Sequence, residues 1–206
     1  DALVMAYTRC VPWESAFRIA KRAITAEAAA CPRWPGEFWL DAQTRGGGGT
    51  CFESNYAFFQ LLRELGFDGY LTINDMGESR GCHTAIVVHL EGERWLVDAG
   101  YPLYLPLPLA TGETTQRQTP FHMYTITPLP GNRYEIRRDR HPKPSVFTLI
   151  DQPISDADYR AATTADYEPG GHFLREIIIH RVIGGRVWRL NGRVDPPLRS
   201  EEHTSE

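Results

Sequence analysis

The stretch that most constrains this chain is Arg45-Gly46-Gly47-Gly48-Gly49-Thr50-Cys51, a glycine run that ends on a cysteine. Glycines tolerate backbone conformations closed to other residues and let a second backbone, or a substrate, come close. Thr50 and Glu53 have the T-x-x-E spacing of a capping box, which predicts Thr50 as N-cap and Cys51 as the first helical residue. Phe58, Leu61, Leu62 and Leu65 then mark one face of a helix that Gly66 terminates. A thiol at such a helix start feels the positive end of the dipole and unpaired backbone N–H groups, both of which favour thiolate over thiol.

Upstream, residues 13–30 read as an amphipathic helix carrying Trp13, Phe17, Ala20 and Ile24, ended by Pro32 and Pro35. A short segment over 38–42 leads into the glycines. Downstream the period changes to that of strands. Residues 70–74 predict a strand, 75–82 a polar loop, and 83–90 and 94–98 two strands joined by Glu91-Gly92. If Glu91 and Gly92 form a two-residue turn, Leu90 faces Glu93, and Asp98 falls on the same sheet face as His83, diagonally adjacent. The proline-rich segment 101–109 reads as an extended surface or cleft wall. Strands are expected over 123–127, 133–137 and 146–150, separated by turns at Pro130-Gly131-Asn132 and at 142–144. A short helix opened by Ser155 and Asp158 precedes a second hairpin, 176–183 and 186–190, turning at Gly184-Gly185, before a polar tail. The pattern predicts an α+β fold in three tightly packed parts. These are a helical part over 1–68, an antiparallel β-barrel or sheet over 69–150, and a short helix plus hairpin over 151–206.

The 206 residues and 42% hydrophobic content suffice for one good core. A formal net charge of -4 offers no field for nucleic acid or an anionic membrane. No run approaches the length of a membrane span and no leader pattern opens the chain, so a cytoplasmic protein is expected. Cys10, Cys31, Cys51 and Cys82 form neither a zinc signature nor a disulfide framework. No metal is expected.

Cysteine chemistry needs a base to form the thiolate, and the base needs an acceptor to fix its tautomer. Cys51, His83 and Asp98 can supply that set in that order. Taken singly each has a plainer reading, since a lone cysteine is usually core filler and a lone histidine or aspartate a satisfied polar group. Cys82 adjoins His83, but neighbours on a strand point to opposite faces, so it reads as a loop or structural thiol. Cys10 and Cys31 lack partners. His89 lies beside a turn, and His122, His141, His172 and His180 show no ligand spacing. The run Arg137-Arg138-Asp139-Arg140 reads as a solvated turn able to attract a phosphate.

The string Gly48-Gly49-Thr50-Cys51-Phe52-Glu53-Ser54-Asn55 resembles the R-G-G-x-C-F-E-x-N signature of arylamine N-acetyltransferases. Trp95-Leu96-Val97-Asp98-Ala99-Gly100-Tyr101 is similar to that family's W-x-V-D-V-G-F segment, with His83 opening the strand where its histidine belongs. The resemblance is strongest over residues 45–109. It is weaker at Pro12-Trp13-Glu14-Ser15, similar to I-P-F-E-N, and over 146–195. It implies a helical bundle carrying the cysteine, a β-barrel carrying histidine and aspartate, and an α/β lid that is incomplete here. It implies ping-pong acetyl transfer from acetyl-CoA or another acyl-CoA, as co-substrate, to an aromatic amine or hydrazine, with no permanently bound cofactor. Cys51 is then the nucleophile, His83 the base and Asp98 its orienter, with the backbone N–H of Cys51 among the oxyanion donors. Phe52, Trp95, Tyr101 and Tyr104 are candidates for an aromatic acceptor pocket, although each residue type is more often core. The family's arginine lies four residues before its cysteine, where this chain has Gly47, and the nearest arginine is Arg45. Transglutaminase-like and papain-like enzymes share the cysteine–histidine–aspartate order, which leaves a hydrolase, an amide synthase or a non-catalytic relative as alternatives.

Overall fold

The computed structural model of the chain describes residues 1–139 and 145–193. In order the elements are α1 (Ala2–Cys10), β1 (Trp13–Glu14), α2 (Ala16–Ile24), α3 (Pro35–Arg45), α4 (Cys51–Glu64), β2 (Asp68–Met76), β3 (Ser79–Leu90) and β4 (Glu93–Val97). There follow β5 (Leu107–Pro108), β6 (Thr115–Gln118), β7 (Met123–Leu129), β8 (Arg133–Arg138), β9 (Ser145–Ile150), α5 (Asp156–Ala165), β10 (Glu176–Ile183) and β11 (Arg186–Arg193). The fold is α+β, as the pattern of periods predicts.

Eight strands form one sheet in the order β5-β4-β3-β2-β9-β8-β7-β6. Leu96 and Leu107 near one end of that order share a core with Tyr124, Ile126 and Ile136 near the other, together with Ala85, Val87, Phe147 and Leu149. Such sharing arises when a sheet curls into a nearly closed barrel. The opposite face of β2, β3 and β4 gives Leu71, Ile86, Val88 and Val97 to a second core, with Phe52, Tyr56, Phe58 and Leu62 of α4. Each large side chain so buried stabilises by about 1.5–3 kcal/mol relative to exposure, so the α4 face is anchored to the barrel wall along its length.

The β3–β4 hairpin has the expected register, with Leu90 opposite Glu93 and Ile86 opposite Val97. Glu91 and Gly92 take positive φ of 55° and 80°, as a two-residue primed turn requires. Ladder pairing stops at Val97, because the chain leaves the sheet in a turn at Asp98. A second three-stranded sheet, β1-β10-β11, joins the two ends of the chain. Ser15 secures it: its Oγ donates to the Glu176 carbonyl at 2.7 Å and accepts from the Ile178 N–H at 2.9 Å.

Three local expectations are corrected. Residues 13–30 are not one helix; Trp13 and Glu14 pair with His180 and Ile179 of β10, and the helix is only α2. Ile24 is consequently 85% exposed. Residues 75–82 are not a loop, since β2 and β3 run on to a tight turn at Gly77-Glu78, where Gly77 has φ 59°. The segment 101–109 is not surface, for Tyr101, Leu103, Tyr104, Leu107 and Leu109 are all buried. The turn expected at 142–144 and the tail beyond Arg193 lie outside the described residues.

Candidate active site

Cys51 opens α4 and is 5% exposed. Thr50 is the N-cap by backbone geometry, but its side chain makes no cap bond and its Oγ1 is buried without a partner. The capping box therefore does not form. Glu53 turns away, receiving the Arg33 backbone N–H at 2.9 Å, the Arg33 guanidinium at 2.6 Å and the Tyr167 hydroxyl at 2.5 Å. No side chain caps α4, so its first-turn N–H groups are left beside the thiol.

His83 faces that thiol from β3. Its Nε2 lies 2.7 Å from Asp98 Oδ2, and the Cys51 thiol is its other hydrogen-bonding neighbour. With Nε2 committed to the carboxylate, Nδ1 is the nitrogen left for sulfur. His83 is 2% and Asp98 0% exposed. Burial alone pushes the imidazole pKa down, but Asp98 and the Cys51 sulfur outweigh it, and the value is pushed up to about 10. The arrangement favours an imidazolium beside the thiol at neutral pH.

Asp98 is held by more than the histidine. Its Oδ1 accepts from Asn55 Nδ2 at 3.0 Å and from the Gly100 and Tyr101 N–H groups, both at 2.8 Å. Asn55, one turn along α4 from Cys51, also donates to the Thr84 carbonyl at 2.6 Å and accepts from the Ala99 N–H at 2.7 Å. Thr84 donates to the Cys51 carbonyl at 3.0 Å, and Tyr159 of α5 donates to the Phe52 carbonyl at 2.8 Å. Three separate elements are thus tied to the first turn of α4. Gly100 completes the joint: a Cβ there would stand 2.3 Å from that of Cys51.

The glycine run is packed by the protein itself. A Cβ on Gly48 would lie 1.8 Å from the Pro12 carbonyl oxygen, so the close approach is made by backbone. Behind the run, Arg33 is 2% exposed and contacts Glu53 at 2.6 Å, Asp41 at 3.2 Å, Glu14 at 3.8 Å and the Gly48 carbonyl at 2.6 Å. Glu14 in turn receives the Gly48 N–H at 3.1 Å, and burial raises its pKa. Arg45 lies at the edge of this cluster, and among the described residues its one ion pair is with Asp41, made from a largely exposed position. Arg33 was not singled out by its sequence. The one signal is negative: the position four residues before Cys51, an arginine in the family the sequence resembles, is Gly47 here.

Of the aromatic candidates, Tyr101 stands by the site, its ring 6.0 Å from that of His83. Phe52 points into the helix–sheet core against Tyr159 and is 2% exposed. Trp95 pairs with Val88, placing it on the sheet face opposite His83, where it lines a separate apolar cavity with Leu3, Val4 and Leu62. Tyr104 packs on Phe121. Cys82 contributes its carbonyl, 3.7 Å from Cys51 Sγ, while its own thiol donates to the Ser79 carbonyl. Among the described residues no group of three or more His, Cys, Asp or Glu side chains gathers as for a metal, and no helix is long and apolar enough to cross a membrane.

The N-acetyltransferase family model matches residues 1–194. The chain belongs to this N-acetyltransferase family. Proansamycin X synthase of Amycolatopsis mediterranei is 31% identical over 132 residues, covering 60% of this chain and 50% of that protein. Arylamine N-acetyltransferase 1 of Bos taurus is 30% identical over 135 residues, covering 59% and 46% respectively. The chain therefore spans about half the length of these curated relatives. The Mycobacterium marinum arylamine N-acetyltransferase solved in complex with CoA has the same fold, with a TM-score of 0.73, 21% identity and coverage of 92% of this chain and 72% of that one.

Proposed function

We propose that the protein transfers an acetyl group from acetyl-CoA to an aromatic amine or hydrazine through a thioester on Cys51. The observation that carries this is the placement of Cys51 at an uncapped helix start, beside a histidine whose far nitrogen is held by Asp98 at 2.7 Å. His83 is the base and Asp98 the residue that orients it. The Cys51 sulfur attacks the acetyl carbonyl carbon, the bond from that carbon to the CoA sulfur breaks, and the imidazolium returns a proton to the departing thiolate. The amine nitrogen then attacks the Cys51 thioester, its proton passes to His83, and the Cys51 thiolate is released. In both steps the oxyanion accepts from first-turn N–H groups of α4, that of Cys51 among them. Splitting one acyl transfer in two lowers each barrier. CoA in a relative of the same fold supports an acyl-CoA donor. Tyr101 is the aromatic wall assigned to the acceptor; Phe52 and Trp95 are directed elsewhere.

Intact-mass spectrometry after incubation with acetyl-CoA tests the reading. The expected result is one added acetyl group, lost in the Cys51→Ala variant and discharged by an added arylamine. An unmodified protein that instead cleaves peptide or amide substrates would assign it to the hydrolases.

A further inference from the structure

Between α3, α4 and α5 lies an open groove of about 410 Å³, lined by Pro35 and Trp39 of α3, Tyr56, Gln60, Leu61 and Glu64 of α4, and Arg160 of α5. None of Cys51, His83 and Asp98 lines it. Tyr56, Gln60 and Glu64 recur every four residues, so they form one stripe on the helix surface. From Tyr56 to Glu64 that stripe covers about 12 Å of helix axis.

The two ends of the stripe differ in charge. At the Tyr56 end the Arg160 guanidinium is held in place by the protein: Nε donates to Asp156 at 2.8 Å, Nη2 donates to the Tyr56 hydroxyl at 2.6 Å, and the guanidinium carbon lies 4.3 Å from the centroid of the Trp34 ring. Among the described residues its Nη1 makes no hydrogen bond. At the other end Glu64 is the last residue of α4, where the negative end of the helix dipole disfavours a carboxylate. Among the described residues Glu64 forms no ion pair, and the adjacent Arg63 is directed to the Phe59 ring. Asp156 and Arg160 neutralise each other, so the charge left over is that of Glu64, and a simple anion is not favoured. A simple cation would leave Arg160 Nη1 unused.

A dipolar molecule satisfies both ends. We propose that this groove is a binding site for a short zwitterionic peptide with an aromatic residue in the middle. Its carboxylate meets Arg160 Nη1, its ammonium meets Glu64, and its ring lies against Trp39. At about 3.3–3.6 Å per residue an extended tripeptide reaches about 10 Å, which suits the stripe once the Arg160 and Glu64 side chains lean inward. Gln60, midway, offers an amide donor and acceptor to the peptide main chain. The volume is that of a small-molecule site. The site is independent of the reaction assigned to Cys51.

Isothermal titration with the peptide Ala-Phe-Ala, its N-acetylated form and its C-amidated form tests the assignment. For wild type each block should weaken binding by about five- to tenfold. In Glu64→Gln, acetylating the peptide should carry no further cost, and in Arg160→Gln amidating it should carry none, because each variant has already removed the matching contact. Circular dichroism checks the fold of both variants; if Arg160→Gln unfolds, the exposed Glu64→Gln arm and the two blocked peptides on wild type decide. Binding indifferent to the blocks, a cost confined to one end, or costs that survive in the matching variant overturn the proposal. So does the absence of saturable binding at millimolar peptide.

Discussion

Two buried polar clusters flank the first turn of α4, and they are balanced differently. In front of the thiol, one carboxylate meets one histidine, and the remaining Asp98 oxygen is saturated by Asn55 and two backbone amides. Behind the glycine run a single Arg33 meets three carboxylates, Glu14, Asp41 and Glu53, and its own Nε lacks a partner. The front cluster is built for one exact proton geometry; the rear one holds the path of the chain by charge. Replacing the thiol in front should therefore alter chemistry with little effect on folding, and a substitution behind should do the reverse.

The largest separation is expected from Cys51→Ser and Asp98→Asn. Arylamine acetylation should fall by about 10⁴-fold, while Cys51→Ser keeps its urea-unfolding free energy within about 1 kcal/mol of the parent. Activity and stability falling together in Cys51→Ser would erase the distinction. Arg33→Met inverts it, leaving Glu53 buried without its cation. Unfolding in urea should then show a loss of about 3–5 kcal/mol, with the surviving folded fraction still taking up acetyl from acetyl-CoA. Gly100→Ala lies between the two, since its Cβ would collide with Cys51. A loss of about 1–3 kcal/mol, together with reduced turnover, is expected from overpacking. The smallest effect concerns pH. Because the His83 pKa is pushed up to about 10, the imidazolium should persist across neutral pH. The ring C–H signals of His83, followed by NMR, should hold the shifts of the charged form between about pH 6.5 and 9, whereas an unperturbed imidazole loses its proton near about 6.5. By linkage, a folded pKa above the unfolded value makes the His83 contribution to stability complete below about pH 6.5. It is lost as pH rises through about 10.

The front cluster could be read from the chain because its geometry follows from local rules. Glu91-Gly92 fixed the turn, the turn fixed the register, and the register put His83 and Asp98 on one face. The rear cluster could not, because Arg33 and Glu53 are brought together only by the packing of α3 and α4. The same applies to β1: Trp13 and Glu14 carry a helical period, and only their pairing with β10, far along the chain, makes them a strand. Thr50 and Glu53 show local spacing losing to a tertiary partner, as Arg33 and Tyr167 draw Glu53 away from the cap. Trp95 was misdirected by its place in a motif, although its parity relative to Asp98 already sets it on the other face. The barrel fold itself was legible from turn chemistry and alternation, and its curl, which closes one core between distant strands, was not.

The turn after Asp98 has a consequence for how the molecule opens. Ala99, Gly100 and Tyr101 belong to no strand, yet their amides are bound by carbonyl and carboxylate oxygens of Asn55 and Asp98 rather than by water. Exchange of the Ala99 amide requires α4 to part from this turn, and the Gly100 and Tyr101 amides bind the carboxylate oxygen that Asn55 also holds, so this irregular segment should share the protection of the barrel wall. Slow-exchanging hydrogens in a loop are thus the dynamic signature of the joint that carries Cys51.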